Sequence, residues 1–171
     1  MTVLVWINEG TWQAAVDAAR AHTSAGDEIA LLHVTGDDVA EAVHGAFVGL
    51  LGRGRRERDP GDRVAALSAS AAADLLDAAA ERLDRPAVHL QAHGRAEREV
   101  VRAAAEADLL ICARDGDRRR LGPRSLGPET RFVVDHAPCP VLLVWPEPPP
   151  GIGSLPPPPH PHPHPHPHPH P

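Results

Sequence analysis

The sequence predicts an α/β protein in which a doubly wound, five-stranded parallel sheet forms a sandwich with helices on both faces. Short runs of valine, leucine and isoleucine recur along the chain, and segments with helical spacing of apolar residues separate them. Strands that are apolar throughout are typical of a parallel sheet buried on both faces, and right-handed crossovers then place helices on either side. Ligands of such sheets bind beyond the carboxyl ends of the strands.

The first strand, helix and second strand follow one another closely. Val3–Ile7 is a short β-branched run, and turn residues with a candidate helix cap occupy positions 8–11. Trp12–His22 places its alanines at helical spacing, and Gly26 and Asp27 then separate it from the apolar run Ile29–Val34. This order predicts strand, helix and strand.

The pattern weakens between residues 35 and 62. A short helix is expected at Val39–Phe47, and a mobile loop is expected over residues 46–62, which contain glycines and a run of mixed charge. A long helical pattern returns at Arg63–Leu83. A proline then ends the helix ahead of the third strand, Ala87–Leu90.

The remaining elements alternate in the same way. Helices are expected at Glu97–Ala107 and Gly127–His136, and strands at Leu109–Cys112 and Val141–Trp145. Residues 1–146 are therefore expected to form one folded domain.

Residues 147–171 differ in composition from the rest of the chain. They hold most of the 20 prolines and half of the 12 histidines, and we expect a disordered tail that projects as a polyproline II spacer. Histidine alternates with proline near the end of this tail. Because neutral imidazole is a good ligand for nickel, zinc and copper, the tail is a candidate metal site. Its candidate ligands are His160, His162, His164, His166, His168 and His170.

Composition argues against several functional classes. A net charge of −6 argues against general affinity for nucleic acid, which requires clustered basic residues. No apolar stretch approaches the ~20 residues of a membrane span, and no basic segment precedes the first strand, so we expect a cytoplasmic protein. Cys112 and Cys139 lack CxxC spacing and are expected to be buried thiols. No serine lies in a GxSxG elbow, so we expect no enzyme activity.

Several stretches resemble the universal stress protein family. His136–Val144, with the sequence HAPCPVLLV, is very close to the C-terminal signature of that family, and Val3–Asn8 and Leu31–Val34 are similar to its first two strands. His93–Leu110 is similar to its third helix and fourth strand. The resemblance covers roughly residues 1–146 and implies the nucleotide-binding α/β fold that this family shares with the adenine nucleotide alpha hydrolases.

The resemblance also implies a nucleotide site. ATP-binding members carry a loop of the form G-x2-G-x9-G-[ST], whose amides and following helix hold phosphates. Here Arg114 and Asp117 occupy its first two glycine positions and Pro128 its Ser/Thr position, so nucleotide binding is expected to be altered or lost. Alternatively, ATP or AMP binds to a rearranged loop rich in glycine and arginine. The residues implied at the site are Asn8, Val34, Gly116, Gly122, Arg124, Ser125 and Gly127.

The function that the resemblance implies is that of a regulator or binding module in the stress response. Metal buffering by the tail is an alternative of a different class. The strand Val141–Trp145 is expected to lie at the edge of the sheet, where an apolar strand requires a partner or a cover. Because family members commonly dimerise through this strand, we expect a homodimer there.

Overall fold

Five parallel strands form one sheet in the order β3-β2-β1-β4-β5, which confirms the predicted doubly wound α/β fold. The structure is a computed structural model, which describes residues 1–36, 60–155 and 157, with side chains described only from residue 66 within the second range. The strands are β1 (Thr2–Trp6), β2 (Glu28–Thr35), β3 (Val88–His93), β4 (Leu109–Ala113) and β5 (Val141–Val144).

Four helices flank the sheet within the described residues: α1 (Trp12–His22), α2 (Pro60–Leu83), α3 (Ala96–Ala104) and α4 (Pro128–His136). Residues 60–62 were expected in the mobile loop but form the first turn of α2, where proline is well suited because no partner is needed for its missing N–H. The predicted helix Val39–Phe47 and the rest of that loop lie outside the described residues. None of the described helices is long and apolar enough to cross a membrane.

The side chains of β1 explain why its sequence is apolar throughout. Val3, Val5 and Ile7 are fully buried in the core that α1 and α2 cover. Leu4 and Trp6 point to the opposite face and are buried in a second core with residues of α3 and α4. Because successive side chains of a strand alternate between faces, the continuous apolar run lets β1 pack into a core on each face of the sheet.

The topology places a crevice beside β1. The chain passes from β1 to β2 and β3 on one side, and after α3 it returns to β4 and β5 on the other side. The strand order therefore reverses between β1 and β4, and ligands of doubly wound sheets bind at the carboxyl end of such a reversal.

The chain after β5 folds back on the loop between β4 and α4. Glu147 Oε1 lies 2.9 Å from Arg118 Nη1, and Ser154 Oγ accepts a 3.0 Å hydrogen bond from the N–H of Leu121. Residues 152–154 form a short 3-10 turn. These contacts differ from the expected disordered tail beginning at residue 147, because residues 151–155 contain no proline and can form a hydrogen-bonded turn. Residues 156 and 158–171, with the six tail histidines, lie outside the described part.

The two cysteines differ in exposure. Cys112 is fully buried in β4, and burial raises the pKa of its thiol to about 12. Cys139 was expected to be buried but is partly exposed, and partial burial also raises its pKa. Both are free thiols, and a raised pKa disfavours the reactive thiolate.

Candidate functional site

A cavity of about 810 Å³ opens at the carboxyl edge of the sheet. Its walls come from the ends of β1 and β2, the turn between β3 and α3, and the first turns of α3 and α4. The polar or charged side chains that line it include Asn8, His33, Arg95, Glu97 and Glu129. Its position next to the reversal of strand order makes it the candidate ligand site.

Asn8 is held at the mouth of this cavity by the turn that follows β1. The N–H of Ile7 donates to the carbonyl of Leu32 at 2.8 Å, which continues the sheet to the last residue before Asn8. The Asn8 carbonyl then accepts a 3.0 Å hydrogen bond from the N–H of Trp12, and Gly10, with φ +78°, makes the intervening turn. Within the described residues, the Asn8 side chain makes no hydrogen bond.

His33 is a candidate site residue that was not among the residues implied at the site. It is 7 % exposed, and its Nδ1 lies 2.9 Å from the carbonyl oxygen of Ile7. Because a carbonyl oxygen only accepts, Nδ1 must carry the proton, and Nε2 of the neutral ring is then an acceptor. A histidine near the carboxyl end of an otherwise apolar strand is the signal that could have identified it.

Two carboxylates lie in the walls of the cavity. Glu97 is only 8 % exposed, and its Oε1 lies 2.7 Å from Nη2 of Arg95, whose side chain is mostly in solvent. Glu129, in the first turn of α4, has a raised pKa because of partial burial and the neighbouring carboxylates of Glu97 and Asp115. The cavity therefore contains one ion-paired carboxylate, Glu97, and one, Glu129, that has no partner among the described residues.

The loop between β4 and α4 binds to itself at the position where the resemblance places phosphates. Asp115 Oδ1 accepts a 2.7 Å hydrogen bond from the N–H of Gly127, the residue just before α4. The N–H groups of Gly116 and Asp117 donate to the carbonyls of Ser125 and Arg124 at 3.0 and 2.8 Å. These three amides are therefore already occupied.

The two glycines of this loop differ in what surrounds them. A Cβ on Gly116 would lie 2.4 Å from the carbonyl oxygen of Arg124 and 2.8 Å from two further backbone atoms. A Cβ on Gly127 would lie 2.9 Å from both carboxylate oxygens of Asp115. The Gly116 contact is with backbone that cannot move separately, whereas the Gly127 contact is with a side chain that can rotate.

The remaining predicted loop residues have mainly internal roles. Ser125 is fully buried, and its hydroxyl donates to the carbonyl of Gly122 at 2.7 Å and accepts from Nη1 of Arg114. Gly122 has φ +116°, in the region that favours glycine. Arg124 is exposed, and its carbonyl binds Asp117 as described above.

The structure thus divides the predicted site residues into two groups. Asn8 and Val34 line the cavity, and Val34 does so from near the end of β2. The loop residues lie beside the cavity without lining it, although Pro128 and Glu129, which follow the loop, do line it. Within residues 1–36 and 66–155, no three His, Cys, Asp or Glu side chains come together in a way that could hold a metal ion.

The family model of the Universal stress protein family matches residues 1–144. The chain belongs to the universal stress protein family. No curated protein matches the chain significantly.

Solved structures of the universal stress protein family share this fold. UspA from Lactobacillus plantarum is 22 % identical, with a TM-score of 0.53, over 84 % of this chain and 96 % of that one. A universal stress protein in complex with cAMP is 17 % identical, with a TM-score of 0.56, over 86 % and 98 %. A universal stress protein family protein from Arabidopsis thaliana with AMP bound is 15 % identical, with a TM-score of 0.51, over 91 % and 95 %.

Proposed function

We propose that this universal stress protein is a non-catalytic binding module of the stress response, which acts as a homodimer and takes the nucleoside part of an adenine compound into the cavity at the carboxyl edge of the sheet. The observation that carries this proposal is the cavity itself, which lies at the reversal of strand order and is lined by Asn8 and Val34, two of the residues that the resemblance implies at the site. Family members of the same fold have been solved with cAMP and with AMP.

The groups in the cavity suit a nucleoside. A volume of about 810 Å³ exceeds what a purine with its ribose requires. Trp6 and Phe132 supply apolar surface for the base, while the Asn8 amide can both donate to and accept from the ribose or the base. The His33 Nε2 adds an acceptor for an amine or a hydroxyl.

The loop before α4 lacks free backbone N–H groups at the positions where the family motif would bind a polyphosphate. The amide of Gly127 is occupied by Asp115, and Pro128 has no N–H to offer. We therefore propose that this protein does not bind the phosphates of a nucleotide in the way that ATP-binding family members do.

The absence of catalysis is proposed from the state of the polar groups in the cavity. Glu97, the most buried carboxylate there, is paired with Arg95, and the Nδ1 proton of His33 is committed to a carbonyl. Among the described residues, no serine or cysteine that could act as a covalent nucleophile lines the cavity.

The homodimer is proposed through β5, one of the two edge strands of the described sheet. Its side chains are all half-buried in the single chain, and its outer backbone groups have no partner strand among the described residues. Pairing with a second copy would satisfy these groups and remove an exposed apolar edge.

Isothermal titration of the full chain with adenosine and AMP tests the ligand. Ala96 lines the cavity at the start of α3, so Ala96→Leu should fill part of the space and weaken binding at least about tenfold. Ala105 lies exposed just beyond the same helix, and Ala105→Leu is the matched control that should leave binding unchanged. Equal binding by both variants would place the ligand elsewhere. Appearance of ADP on incubation with ATP would contradict the non-catalytic assignment.

A further inference from the structure

The polar groups that face the cavity are mostly hydrogen-bond acceptors. His33 offers Nε2, because its Nδ1 proton is bound to the carbonyl of Ile7. Glu97 and Glu129 offer carboxylate oxygens, which only accept when ionised. A ligand that pairs with these groups must bring donors, such as the hydroxyls of ribose or the amine of a purine.

The charge in the cavity is also unfavourable for an anion. Arg95 is the cationic side chain in the wall, and its guanidinium is paired with Glu97 at 2.7 Å and is 73 % exposed. Glu129 has no such partner among the described residues, and Asp115 lies close enough to raise its pKa. A phosphate placed near the start of α4 would therefore meet two carboxylates and no unpaired cation from the cavity wall.

Asp115 takes the role that a phosphate would have at this helix. A carboxylate that accepts a hydrogen bond from the last amide before a helix stabilises the helix for the same reason as a bound anion. In both cases a negative charge lies near the unpaired N–H groups and the positive end of the helix dipole. The hydrogen bond between Asp115 and Gly127 is 2.7 Å long. An incoming phosphate must displace this internal anion before it can bind the Gly127 amide.

The loop cannot easily make a second phosphate site. The Gly116 and Asp117 amides are bonded to the carbonyls of Ser125 and Arg124, and the missing side chain of Gly116 is what allows these backbone segments to touch. The backbone of residues 124–126 fills the space beside the Gly116 Cα, so no ligand atom fits there.

We propose that the site selects the unphosphorylated nucleoside, and that Asp115 and Glu129 are the residues that exclude phosphate. This inference rests on the proposed adenine-compound binding. It assigns adenosine, or a nucleoside with the same donors, as the preferred ligand class. Affinity then falls in order of increasing negative charge, from adenosine through cAMP and AMP to ATP.

Titrations of the full chain with these four compounds, with and without magnesium, test the order. We expect adenosine to bind at least about tenfold more tightly than AMP and at least about a hundredfold more tightly than ATP. The ratio of the adenosine to the AMP affinity is the decisive quantity, because it cancels any general loss of binding by a variant.

Three variants assign the effect to residues. Asp115→Ala frees the Gly127 amide and should bring AMP to within about threefold of adenosine. Asp115→Asn keeps an acceptor for that amide but removes the charge, so it should have an intermediate effect and remain informative if the alanine variant does not fold. Glu129→Gln should also raise AMP affinity, whereas Glu106→Gln, at an exposed position outside the cavity, is the matched control and should not.

The outcomes separate the two proposals. Adenosine binding with AMP and ATP equally tight would overturn phosphate exclusion while leaving the proposed function in place. Tight adenosine binding with an unchanged ratio in the Asp115 and Glu129 variants would overturn the assignment to these residues. Absence of binding by adenosine and every nucleotide would overturn the proposed function and this inference together.

Discussion

The guanidinium carbon of Arg114 lies 4.8 Å from the centre of the Trp145 ring. Arg114 is the first residue after β4, and Trp145 is the first after β5. The backbone N–H of Arg114 also donates to the carbonyl of Val144 at 2.9 Å. Together with the Arg118–Glu147 ion pair, this stacking links the loop before α4 to the chain that follows the sheet.

We predict that Trp145→Leu lowers the free energy of unfolding by about 1–2 kcal/mol, because the cation–π contact is lost while an apolar side chain of smaller area remains. Trp145→Phe keeps an aromatic face and should cost less. Urea denaturation of the full chain measures both. Equal losses in the two variants would show that the aromatic face does not contribute at this position.

The glycines of the loop before α4 should respond differently to alanine. Gly116→Ala should lower the free energy of unfolding by about 1–3 kcal/mol, since its Cβ would overlap the backbone at Arg124. Gly127 has φ −65°, which alanine adopts readily, and its Cβ meets only the Asp115 carboxylate. Gly127→Ala should therefore cost less than Gly116→Ala in the same urea titration. A larger loss at Gly127 would contradict this description of the loop.

Much of the fold could be predicted because the apolar runs of the sheet have few alternative interpretations. The boundaries of β1, β4 and β5 agree with expectation to within one residue. The predicted β3 ended three residues too early, because Gln91 and His93 interrupt the apolar run on this exposed strand. Pairing with β2, which no local pattern reveals, extends it to His93.

The site was less predictable because its key contacts join residues far apart in sequence. Asn8 and Val34 could be proposed from resemblance, but the hydrogen bond from Gly127 to Asp115 spans the whole loop. The loop sequence predicts neither this bond nor the pairing of the Gly116 amide with Ser125. Both depend on how the chain closes after β4, which is a tertiary property.

The pKa of Glu129 predicts how stability varies with pH. A carboxyl group whose pKa is raised on folding contributes stability below the unfolded value, near 4.5, and loses it as pH rises through the folded value. Glu129→Gln should therefore raise the free energy of unfolding at about pH 7 and have no effect at about pH 4. The gain should stay under about 1 kcal/mol because the side chain is exposed and solvent screens it.

Urea denaturation at the two pH values measures this difference. Glu106→Gln makes the same chemical change at an exposed position in the turn after α3 and should show no such pH dependence. A Glu129→Gln variant that is less stable at neutral pH would mean that the favourable end of the α4 dipole outweighs the neighbouring carboxylates.

The proposed dimer makes a prediction about a single backbone group. The carbonyls of Pro140 and Val144 bind β4, so the alternation of the strand turns the N–H of Leu143 toward the open edge. Leu143→Pro removes that donor without removing a hydrogen bond to β4 and should shift a dimer toward monomer in light scattering. Leu142→Pro, one residue earlier, removes a donor that faces β4 and should instead reduce stability. An unchanged dimer in Leu143→Pro would place the interface elsewhere.

The hypothesis that the tail binds metal is best tested by a truncation that removes the histidines but keeps the contacts of residues 147–155 with the loop before α4. Residues 147–155 contact the loop before α4 through Glu147 and Ser154, so a chain ending at residue 146 would lose metal ligands and loop contacts together. A chain ending at residue 155 removes the six histidines with the prolines around them and keeps these loop contacts. We predict that it loses nickel binding in a titration and keeps the unfolding midpoint of the full chain, whereas the chain ending at 146 is also less stable. Nickel binding that survives the cut at 155 would assign the metal to the folded domain, because no histidine of the repeat would remain.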